Sequence, residues 1–193
     1  MMMNTNSNVK GFTLIELLIV IAILGILAAA VVVVINPAQL LAEARDTQRI
    51  EDTAAVHSAM SLYASTAASP DFTAAAGPFS TVQTDCSDVA GATACTVRAI
   101  YTTANAGWVD VNLGGTSGGS PLATLPRDPS STGELQYVYF GNDTSDTWEI
   151  GATMESTKYA NGGSGDVETK DGGNAANALE RGNEPGLDLM TGT

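Results

Sequence analysis

"KGFTLIELLIVIAILGILAAAVVVVI", Lys10 to Ile35, decides the architecture of this chain. From Leu17 to Ile35 it holds no charged or strongly polar residue, and the next charge after Glu16 is Glu43. A helix from Phe12 to Ile35 would be roughly 36 Å long, enough to cross a hydrocarbon core of about 30 Å. Glu16 stands alone inside this run. A lone carboxylate is disfavoured in a bilayer unless something pairs with it, so it asks for a purpose.

The order of residues separates three readings. A secretory signal cut near Ala28–Ala30 would turn polar afterwards, whereas here "VVVVI" prolongs the apolar run. A plain single-pass anchor gives Glu16 nothing to do. In the third reading a polar leader, "MMMNTNSNV", precedes "KG", and cleavage after Gly11 removes the leader while keeping the helix. At these residues "KGFTLIELLIVIAILGILAAA" resembles the N-terminal segment of type IV pilins and type II secretion pseudopilins. The resemblance implies that a membrane prepilin peptidase cuts between Gly11 and Phe12 and N-methylates the new Phe12 amine. It also puts Glu16 at the place of the family's characteristic assembly glutamate.

The chemistry of the motif agrees with that assignment. Cleavage creates a cationic α-amine on Phe12, with a reference pKa near 7.7–8.0. Phe12 and Glu16 are four apart and share a helix face, and the glutamate lies in the first turns, where the helix dipole favours negative charge. The amine's partner is Glu16 of the same chain or of a neighbouring subunit; in the second case the pair would fix register between subunits. The alternative is a glutamate reaching toward headgroups with no partner.

Asn36-Pro37 reads as a helix restart, with Pro at the first position, or as a kink in one long helix. Beyond it Ile50, Thr53, Val56, Met60 and Tyr63 recur at three- and four-residue spacing, while Glu43, Arg45, Asp46, Arg49, Glu51 and Asp52 are expected on other faces. "ARDTQRIEDTAAVHSAMSLYA" resembles the second helical half of the same family. His57, the only histidine, has no companion at motif spacing and reads as a boundary residue.

Past Ala64 the chain becomes loop-rich. Alternating segments at 96–102, 108–113, 135–140 and 148–154 predict a small antiparallel sheet on the helix. "GNDTSD" forms the turn of the last hairpin, and Trp148, Ile150, Ala152 and Met154 share one face. "PLATLPRDPSS" resembles the Pro-x-Asp-Pro loop of the family. Cys86 and Cys95 are expected to form a disulfide if the body lies outside the cytoplasm, and to remain thiols otherwise.

A formal charge of −13 with 8 Lys and Arg excludes a basic patch for nucleic acid. In the Gly- and Asp-rich tail, Asp166, Glu168 and Asp171 offer oxygen donors, and the resemblance implies calcium in a C-terminal loop. Their spacing is not an EF-hand, a solvated acidic loop is the competing reading, and no metal residue is assigned. No phosphate loop, nucleophile elbow or Cys–His pairing is present in the sequence, so no catalytic residue and no cofactor is assigned.

The expectation is therefore an α+β chain with a long N-terminal helix. Residues 1–11 form a removed leader, 12–35 a transmembrane and polymerisation helix, 36–66 an amphipathic helix, and 67–193 a β-rich body. The resemblance implies a non-enzymatic filament subunit in the cytoplasmic membrane, its body outside, later in a cell-surface or periplasmic filament. Its implied partners are copies of itself, other pilins or pseudopilins, prepilin peptidase and an inner-membrane assembly platform. The alternative is a non-polymerising, membrane-anchored binding or adhesin-like protein.

Overall fold

The computed structural model describes residues 11–72, 78–87, 94–184 and 186–188. The leader through residue 10, Gly77, and the end of the tail lie outside the described residues. The fold is α+β: helices α1 (Leu14–Ile35) and α2 (Pro37–Thr66), then strands β1 (Phe79–Ser80), β2 (Thr96–Val97), β3 (Tyr137–Asn142), β4 (Thr147–Ala152) and β5 (Leu179–Gly182). It divides into two compact units, Met1–Leu40 and Leu41–Thr193.

The first unit is built on α1, in which no residue is buried. The stretch is long and apolar enough to cross a membrane. Asn36 ends α1 in the left-handed conformation, φ 45°, which asparagine adopts at lower cost than most residues. Its carbonyl accepts from Gln39 N (3.0 Å) and Leu40 N (3.3 Å), so the Asn36-Pro37 step is a one-residue restart.

In the second unit α2 buries Ala42, Asp46, Arg49, Thr53, Val56, Ala59, Met60 and Tyr63. This corrects one expectation. Asp46 and Arg49 do not cover another face; they continue the buried stripe at the same three- and four-residue spacing, each 0% exposed.

The sheet has the order β2-β1-β3-β4-β5. It is mixed, because β1 and β2 run parallel while the other pairs are antiparallel. β3 and β4 form the expected hairpin, closing at Asn142 opposite Thr147. Pleat alternation gives the sheet two buried faces. Tyr137, Tyr139, Trp148, Ile150, Ala152 and Leu179 join Val56, Met60 and Tyr63 in the main core, whereas Val138 and Phe140 meet Cys86, Cys95 and Ala178 on the other side. The Cys86 and Cys95 sulfurs are bonded, with Cα atoms 5.9 Å apart. Gly141 is required by close approach: a Cβ there would lie 1.9 Å from the Phe72 carbonyl oxygen.

The segment 108–113 is not a strand. Trp108, Val109, Val111 and Leu113 are buried, but the Asn112 side chain accepts from Gly114 N (3.2 Å) and turns the backbone into a 3-10 helix, Leu113–Gly115. The apolar pattern marked core here without marking the element. Of 96–102 only Thr96–Val97 pairs as a strand.

Candidate functional site

The processing motif occupies the start of the first unit. Phe12 is 91% exposed, and Thr13 caps α1 in an extended conformation. The cap is reciprocal. Glu16 N donates to Thr13 Oγ1 (3.3 Å), while Glu16 Oε2 accepts from Thr13 N (2.9 Å) and Thr13 Oγ1 (2.8 Å). Such a capping box satisfies N–H groups that the first turn leaves open. Glu16 is thereby held in the first turn, four residues from Phe12. Sequence reading isolated Glu16 but missed the part played by Thr13, although Thr-x-x-Glu is the spacing of that box.

Residues 6–32 match the family model described as the prokaryotic N-terminal methylation motif. The chain carries the prepilin signature of type IV pilins and pseudopilins. The matched span contains Gly11, Phe12 and Glu16 and ends within α1. No curated protein and no solved structure matches the chain.

In the second unit the dominant polar feature is the buried Arg49. Its Nε donates to Asp128 Oδ2 (2.7 Å) and its Nη2 to Asp128 Oδ1 (3.1 Å), while Nη1 donates to Asp46 Oδ1 (2.7 Å). Asp46 in turn accepts from the backbone N–H of Glu155 (2.9 Å) and Ser156 (2.7 Å). Asp128 Oδ1 accepts from Ser130 N (2.8 Å) and Ser131 N (2.9 Å). Burial alone would lower the Arg49 pKa, but hydrogen bonding and charge pairing with Asp128 and then Asp46 outweigh it and raise the guanidinium above the ordinary arginine value. Arg45 reinforces the node through a bidentate pair with Glu155. This node ties α2 to the "PRDP" loop and to the segment after β4.

The tail carboxylates are not a solvated cluster. Asp166 and Glu168 are 8% and 3% exposed. Asp166 accepts from the backbone N–H of Gly162, Glu168 and Thr169 and from the Thr169 hydroxyl, which together hold its pKa down at about 2, the hydroxyl contributing most. Glu168 accepts from Met154 N and Asn161 N, and Asp171 from Gly173 N and Glu180 N. Backbone amides thus hold each of these carboxylates in place within the fold. Among the described residues no group of three or more His, Cys, Asp or Glu side chains is arranged for a metal.

His57 is half-buried, with its ring centroid 5.1 Å from that of Trp148. It lines a groove of about 330 Å³ together with Asp171, Leu179, Glu180, Arg181 and Leu187. Burial first, and then the Arg181 charge, lowers its pKa. No serine, threonine or cysteine is among the residues lining this groove.

Proposed function

We propose that this chain is a structural subunit of a helical filament, of the type IV pilus or type II secretion pseudopilus kind. In this reading prepilin peptidase cuts the Gly11–Phe12 bond, removes residues 1–11 and methylates the Phe12 amine. Residues 12–35 then hold the subunit in the cytoplasmic membrane, with residues 36–66 leading into a body, residues 67–193, outside the cytoplasm. On assembly the same apolar helix passes from lipid to the helices of neighbouring subunits. Cys86–Cys95, bonded as an oxidising compartment would leave it, agrees with an outward-facing body.

The single observation that carries the proposal is α1 itself. It holds one carboxylate in its first turn and buries no residue, so its stability within the chain calls for an apolar surrounding supplied from outside. The prepilin signature on the same residues supports a surrounding made of like subunits after processing. Glu16 is matched there by the Phe12 amine of a neighbour, and mismatched registers leave a carboxylate unpaired in a dry core.

Glu16→Ala tests the assembly role. The variant is expected to insert in the membrane and to be processed normally, yet to leave few or no filaments by electron microscopy. Filaments of normal number and length from that variant would remove Glu16 from the account.

A further inference from the structure

β4 and β5 pair so that Glu149 faces Gly182 and Gly151 faces Glu180. Glu149 and Glu180 are therefore diagonal neighbours on one face of the sheet. They are 0% and 1% exposed. The Glu149 carboxyl lies within reach of the Glu180 carboxyl and influences its titration, and Glu180 Oε2 accepts from Ala175 N (2.8 Å). Glu180 Oε1 is buried and meets no donor among the described residues. Arg181, the residue beside Glu180, sits on the opposite face, where its Nε donates to Thr53 Oγ1 of α2 (3.3 Å). A further charge acting on Glu180 is another carboxylate, Asp171, which accepts from Glu180 N (2.6 Å). Lys170, His57 and Asp166 line the adjoining groove.

An ionised carboxylate only accepts hydrogen bonds, so a bond between two carboxyl groups requires a proton on one of them. Two buried like charges in contact also repel strongly, which favours one proton held between them. We propose that Glu149 and Glu180 share a proton that fastens β5 and the 171–175 loop to β4, making the body most stable in acid and loosening this edge of the sheet once the proton is lost. Burial, the largest influence, raises the proton affinity of Glu180; the interactions with Glu149 and Ala175 N oppose it, the Asp171 charge adds to it, and the net direction is upward.

The sign follows from linkage. The folded pair binds its proton more tightly than the unfolded chain, where glutamate titrates near 4.5, so stability is full below that value and declines as pH rises through the folded value. Thermal unfolding of the full-length chain in detergent is followed across about pH 5 to 9, in wild type, Glu180→Gln and Glu149→Gln. Wild type is expected to lose on the order of 3–5 °C in Tm for each tenfold preference of the folded state for the proton. Both glutamine variants, which can hydrogen-bond without titrating, should show a flatter profile. Infrared difference spectra at neutral pH should show a protonated carboxylic acid in wild type that either variant lacks. Equal pH profiles in wild type and variants would overturn the proposal, as would wild type without that infrared band. A wild-type pH profile abolished by added calcium would overturn it too, since a cation would then fill the place of the proton.

Discussion

α1 and α2 follow one another with a single residue between them, yet they solve opposite problems. α1 exposes Leu14, Leu17, Ile26, Val33 and Val34, the least exposed of these still at 62%, and buries nothing. α2 buries not only Val56, Met60 and Tyr63 but also the full charges of Asp46 and Arg49. The first helix is apolar and unfinished, and its surroundings must come from lipid or other chains. The second carries charge inside and is finished within its own unit. An exposed apolar helix offers only generic contacts, whereas the second unit fixes its loops with specific buried pairs.

The contrast can be broken most forcefully at Arg49. Arg49→Ala leaves Asp46 and Asp128 buried without their cation, and denaturant titration should show a loss of about 3–5 kcal/mol. Replacing Arg49, Asp46 and Asp128 together by uncharged residues of similar size should cost less than the single change, because no unpaired charge remains.

The disulfide comes next. Cys86→Ser with Cys95→Ser opens a short loop and should cost about 2.5–3 kcal/mol by the loop-entropy estimate, seen as a lower Tm and reproduced by reducing the wild-type protein. The smallest effect belongs to α1. Leu24, 57% exposed and part of the other unit, can be replaced by alanine with no measurable change expected in the unfolding transition of the body. A drop in that transition comparable to a core truncation would mean that α1 is not the open segment described above.

Much of the fold was legible because large effects write themselves plainly into sequence. The run from Leu17 to Ile35, a break in the helix at Asn36-Pro37, and the alternation on both sides of "GNDTSD" needed no partner to be read, though only the structure decides between restart and kink. The processing motif was equally local. Other elements depend on partners that sequence spacing does not display. β1 and β2 are two residues each and exist as strands only through pairing. β5, "LERG", carries two charges and no alternation of apolar residues, and its place is set by β4. Asp46 and Arg49 kept the helical spacing of the core stripe but were expected on other faces because they are charged; Asp128, 79 residues beyond Arg49, and the distant amides of Glu155 and Ser156 make their burial tolerable. The tail carboxylates were misread for the same reason, since the backbone amides that absorb them cannot be seen in a list of side chains.

The most direct measurement is mass spectrometry of the N-terminal peptide of the protein taken from the membranes or filaments of cells that make it. The account predicts a mature chain beginning at Phe12 and carrying one added methyl group on its amine. A chain that retains Met1–Gly11, or one that begins near Val31 after cleavage at the alanine run, would contradict it.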